Sequence, residues 1–206
     1  MKRILLLSAL CTSLNLAAQP FEVTVKGGVS PSILSQGDFH TEYGTSPFGA
    51  VTGSYTGKHW FTGLGLDFSN VYTQPFMKQY PYQQQFDVTG LRASRPAINL
   101  SLHLGYRITL GKSIAQAGVQ LGSIWHPQKL TYTYADGRRE VEMLPNLALP
   151  FSFGIMLGYG YQVHDKLTVM LETTPRFSAL SYGKEGGNMG FDVYQFPLSV
   201  GLKVSL

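Results

Sequence analysis

Ser101 and His103 stand two residues apart, the spacing that places two side chains on one face of a β-strand. A hydroxyl beside an imidazole is the start of a nucleophile–base pair, and Asp67 and Glu172 are acids that could complete it. Acyl transfer on a lipid is the chemistry such a set would perform. It requires mutual hydrogen-bond reach and a path for substrate. The alternation described below turns this pair inward, away from lipid. The expectation is therefore a polar network and no catalytic residue.

His40, His59, His126 and His164 are scattered without i,i+4 or paired spacing. A zinc site needs three or four convergent ligands, so neither a metal nor another cofactor is expected. The Gly-rich runs lack the Lys-Ser/Thr ending of a phosphate loop. Asp136 to Glu142 is rich in charge, but Leu130, Tyr132 and Tyr134 alternate into Asp136-Gly137, a type I′ hairpin signal. Residues 129–142 thus read as an outer hairpin whose arms are too short to cross a membrane. Tyr72, Phe76, Tyr80, Tyr82 and Phe86 lie among five glutamines, a candidate loop surface for binding or for packing over a barrel mouth.

The elements that must carry these residues begin after a basic start, Met1-Lys2-Arg3, and an apolar run from Ile4 to Leu16. Small residues at Ala17-Ala18 make residues 1–18 a signal peptide, cleaved to leave a domain over 19–206. The one cysteine, Cys11, falls inside that segment, which excludes disulfides and thiolate metal sites from the rest. Removing Lys2 and Arg3 lowers the net charge from +4 to +2, and no longer basic run suggests nucleic acid. Charged residues make up 14% of the 206, against about 25% in ordinary globular domains. With 44% hydrophobic residues, the chain has ample surface to bury and is not disordered.

Eight segments alternate with period two. The clearest are Ile98 to Ile108, Phe151 to Val163 and Phe196 to Leu206. Phe48 to Thr56 is the poorest, because Val51 and Tyr55 disagree with Phe48 and Ala50 about the apolar face. Tight turns at 56–58, 110–112 and 164–166 alternate with long connections at 31–46, 73–94, 126–149 and 178–192. One short end and one elaborate end is the plan of a transmembrane barrel, with short periplasmic turns and long extracellular loops. The expected fold is all-β, an eight-stranded antiparallel up-and-down barrel.

A soluble ligand-binding barrel alternates too, with its apolar face inward. Here the face opposite the apolar one is small and polar, which suits a narrow interior. Trp60, Tyr72, Tyr106, Phe151, Tyr161 and Phe196 end the apolar face where interfacial rings belong. Glu22, Lys26, Asp67, His103, Arg107, Glu172, Arg176 and Lys203 fall on the small-residue face. Three acids and four bases there can neutralise one another, whereas each would cost a few kcal/mol facing lipid.

Leu16-Ala17-Ala18-Gln19, Val25-Lys26-Gly27-Gly28-Val29 and Arg95-Pro96-Ala97-Ile98-Asn99-Leu100 resemble small outer-membrane barrel proteins of Bacteroidota, the PorT-like family above all. The resemblance implies a fold and a place in the bacterial outer membrane, not one activity. The expected function is a non-enzymatic integral barrel, structural or docking envelope and surface proteins through its outer loops. The expected surroundings are outer-membrane lipid, around a monomer. The alternatives are a narrow channel and, behind it, a lipid-modifying enzyme.

Overall fold

The computed structural model describes residues 20–36, 40–73, 88–125, 127–144, 151–184 and 187–206. Residues 1–18, read as the signal, lie outside them. The described chain is all β: β1 (Phe21–Gln36), β2 (His40–Thr56), β3 (Trp60–Thr73), β4 (Val88–Leu110), β5 (Ser113–Trp125), β6 (Gln128–Tyr134), β7 (Arg139–Leu144), β8 (Ser152–His164), β9 (Leu167–Thr173), β10 (Arg176–Lys184), β11 (Gly187–Gln195) and β12 (Leu198–Ser205). By the neighbours they pair with, these segments make eight wall positions: β5 and β6 share one beside β4, β8 and β7 the next, β9 and β10 the one beyond β8, and β12 and β11 the one beside β1. All neighbours are antiparallel, and β1 closes the ring against β12 and β11.

The register gives the stagger of the closure. From Val23 the ladder steps through Gly53, Leu64, Leu102, Leu121, Phe153, Phe177 and Tyr194, and returns to β1 at Ile33. The circuit thus comes back ten residues farther along the strand. Eight strands with that stagger tilt by about 40° and leave an interior that side chains can fill.

Alternation sorts the two faces. Leu64 is 61% exposed and Val200 58%, whereas Asp67, Glu172 and Lys203 are each 5%. A belt this apolar and continuous is stable only in contact with lipid. The disputed strand β2 resolves the same way: Val51 and Tyr55 face out, and Ala50, Thr52 and Ser54 are buried. Phe48 lies on that inner face, where it fills the lumen beneath Arg176, whose guanidinium carbon is 6.0 Å from the ring centre.

Where the long connections are described, most of their residues prove to be strand. β1 and β2 stay paired from Phe21↔Tyr55 to Gln36↔His40, well beyond the ten or so residues a tilted crossing needs. Prolines mark the level where the wall changes character. Thr174-Pro175 separates β9 from β10, and Phe196-Pro197 separates β11 from β12. Neither proline has an N–H to give, but Pro175 O accepts from Ile155 N and Pro197 O from Thr174 N. Beyond these breaks, β10 replaces β9 beside β8 and β11 replaces β12 beside β1.

The turn at Asp136-Gly137 is not type I′. Gly137 has φ +81°, but Asp136 does not share the positive φ that type I′ demands of both central residues. Gly137 N donates to Tyr134 O and Tyr134 N to Arg138 O, a type I turn closed by a glycine bulge. Asp136 instead accepts from Arg138 N through its carboxylate.

The interior is also less uniformly polar than its glycines and serines imply. Phe61 and Ile114 close it beside the short turns, and Leu34, Ile124, Leu130 and Val193 are no more than 2% exposed toward the outer end. Above the lipid band both sides of the wall meet water, so the interior there needs a small apolar core.

Candidate functional site

Strand alternation aims all eight charged or titratable residues singled out above into the lumen. Ring closure then decides their partners. Toward the periplasmic end, Arg107 Nη1 of β4 lies 2.9 Å from Glu22 Oε1 of β1, and Lys203 Nζ of β12 lies 3.2 Å from Glu22 Oε2. Lys203 also donates to Gln116 Oε1 at 3.3 Å, and Gln116 Nε2 donates to Glu172 Oε2 at 3.2 Å. Lys26 of β1 forms an ion pair with Glu172 of β9. One ladder of ion pairs and hydrogen bonds thus runs from Arg107 to Lys26.

A second cluster sits farther out. Arg176 Nη1 of β10 is 2.7 and 2.8 Å from the two carboxylate oxygens of Asp67 on β3. Asn99 Nδ2 donates to Asp67 at 2.8 Å, and Ser152 donates to Asn99 Oδ1 at 2.9 Å. Arg176 Nε donates to Gln195 Oε1, whose amide donates to Ser69. Gln116, Asn99, Gln195 and Ser69 were not singled out in the sequence. Their signal was a polar side chain at an inward position level with a charge, legible only with the register in hand.

Between the clusters, Ser101 Oγ and His103 Nε2 are 2.7 Å apart. At Gly65 a Cβ would come 2.8 Å from His103 Nε2, so a larger residue there would push the imidazole aside. The nucleophile–base distance is therefore met, but the rest of the machinery is not. Asp67 is engaged by Arg176 and Asn99, and Glu172 by Lys26 and Gln116; among the described residues neither hydrogen-bonds to His103. The adjoining cavity, lined by Thr52, Ser101, His103 and Gln120, has about 10 Å3, room for one water and no acyl chain. Among the described residues, no three His, Cys, Asp or Glu side chains converge as metal ligands.

Of the candidate loop surface, Phe76, Tyr80, Tyr82 and Phe86 lie outside the described residues. Tyr72 belongs to β3, where its backbone pairs with Ser94. On the outer wall Tyr106, Phe151, Tyr161 and Phe196 are exposed, and Trp60 is partly so. The other feature open to a partner is the β6–β7 hairpin, paired from Gln128↔Leu144 to Thr133↔Arg139.

Residues 4–203 match the family model described as outer membrane protein beta-barrel domain. No curated protein matches the sequence. Among solved structures, the attachment invasion locus protein Ail of Yersinia pestis, in complex with the heparin analogue sucrose octasulfate, is similar. It aligns with TM-score 0.53 and 12% identity over 89% of this chain and 98% of its own. A major outer membrane protein of Thermus thermophilus aligns with TM-score 0.54 and 11% identity, over 92% and 100%. At such identities the likeness is one of fold.

Proposed function

The chain belongs to the outer membrane protein beta-barrel domain family and resides in the outer membrane, and from that premise we propose that it is a plugged barrel that docks envelope or surface proteins through its outer hairpins. The observation that carries this reading is the lumen. Ion pairs bridge it from wall to wall, and the cavity beside His103 holds about one water. Among the described residues, solute passage and chemistry on a substrate both need more room than that cavity offers. Among the described residues, what rises above the membrane is mostly paired strand, a display for contact. Within the family, the segments 16–19, 25–29 and 95–100 favour a place among the PorT-like barrels of Bacteroidota.

The test is photo-crosslinking in living cells. A photoreactive residue at Asp136 or Tyr43 on the outer hairpins is expected to give discrete protein adducts, and one at Lys166 in a periplasmic turn is not. Adducts confined to Lys166, or none at any of the three, would overturn the reading.

A further inference from the structure

The β6–β7 hairpin sorts its charges by face. Leu130, 2% exposed, turns one face toward the barrel interior, and its cross-strand partner is Glu142. On that same face Tyr132 lies opposite Glu140. Tyr132 Oη donates to Glu142 at 3.1 Å and Tyr134 Oη to Glu140 at 2.7 Å, so both acids are tied to the inner side. Arg138 is drawn there as well, its guanidinium 4.3 Å from the centre of the Tyr134 ring.

The outer face carries the pairs Lys129–Met143, Thr131–Val141 and Thr133–Arg139. Val141 is 53% exposed and Met143 54%. Lys129 and Arg139 are exposed at opposite corners, and neither forms an ion pair among the described residues. This face therefore presents an apolar centre, two cations and no acid. It also continues the lipid-facing wall, because β6 is zipped to β4 from Ser94↔Lys129 to Val88↔Tyr134. Lys129 stands four residues beyond Trp125, whose β4 partner Ile98 ends the apolar wall. At ~3.3 Å per residue and a ~40° tilt, that is about 10 Å above the hydrocarbon, in the headgroup layer.

We propose that this face binds the phosphorylated headgroup of the outer-leaflet glycolipid, with Lys129 on phosphates near the membrane, Arg139 on phosphates farther out along the saccharide, and sugar rings lying across Val141 and Met143 between them. The proposal deepens the reading of the outer hairpins as contact surfaces and rests on their lying at the outer leaflet. Continuity with the lipid wall favours a lipid over a soluble polyanion.

The full chain in maltoside micelles can be titrated with lipopolysaccharide and followed by native mass spectrometry. The wild type is expected to retain the glycolipid, and K129Q/R139Q to bind it roughly thirtyfold more weakly, about fivefold for each basic residue near an anionic surface. K129R/R139K should bind like the wild type, and a dephosphorylated glycolipid should bind the wild type as weakly as the glutamine variant binds the intact one. Equal binding by wild type and K129Q/R139Q, or indifference to the phosphates, would overturn the proposal. So would heparin fragments competing at the same residues more strongly than the glycolipid, which would assign the face to a soluble polyanion. Heat-modifiable gel migration checks that each variant is folded. The titration contains no protein partner, so its failure leaves the photo-crosslinking result standing by itself.

Discussion

Arg176 reaches across the lumen from β10 and places Nη1 within 2.8 Å of both oxygens of Asp67 on β3, a residue 109 positions away. Both side chains are buried, so each charge depends on the other for what water would otherwise supply. The pair joins two walls that are not neighbours in the sheet.

Asp67→Asn should leave the Arg176 charge buried without its counter-ion. A destabilisation of about 3–5 kcal/mol follows, read as an earlier midpoint in urea unfolding followed by gel shift. Asp67→Leu with Arg176→Met should recover most of that loss, because the desolvation cost vanishes with the charges. If the single substitution cost no more than an exposed ion pair does, under about 1 kcal/mol, the pair would have no structural weight.

Ser101→Ala removes the hydroxyl beside His103. Ester hydrolysis by the purified protein should be indistinguishable between wild type and variant, and stability should fall by about 1 kcal/mol. A wild-type activity abolished by this substitution would mean that the enclosed pair reaches a substrate.

Planar-bilayer recordings of the wild type should show no conductance above background. Buried apolar side chains lie near both ends of the lumen, and paired charges bridge from wall to wall between them. Steady single-channel steps would show that the ion pairs part readily and would favour the channel alternative.

At the outer hairpin the hydrogen bond to Glu140 raises the pKa of Tyr134 above its ordinary value, and the nearby carboxylates add to this against the opposing Arg138. A raised value means that the phenol donates its proton to Glu140 most effectively below the ordinary tyrosine range. That support is present below about pH 10 and is lost as pH climbs through the raised value. Ultraviolet titration of the phenols should show a late component that Glu140→Gln brings back toward the ordinary value. An unchanged titration curve would mean that the contact does not hold in solution.

Much of the wall was legible in the residues. Ile98 to Ile108 and Phe151 to Val163 alternate cleanly because one face meets lipid and the other a narrow lumen. The stretch at 178–192 read as a loop because its polar and glycine residues carry no lipid-facing stripe. Its described residues, 178–184 and 187–192, are strand nonetheless, held by pairing between β10 and β11 above the membrane. The buried Leu34 and Val193 escaped notice for the same reason, since an inward apolar residue breaks the polar-in pattern used to find the lumen.

What the sequence determined by itself is the sidedness of each strand, because a period of two is a local property of the chain. It also determined which end carries the tight turns. The tertiary structure alone decided who meets whom. Closing eight strands with a ten-residue stagger sets heights that no single strand encodes, so Glu22 meets Arg107 and Lys203, Lys26 meets Glu172, and Arg176 meets Asp67. The same closure placed Lys129 and Arg139 on an outward face whose neighbouring acids are held by tyrosines on the other side.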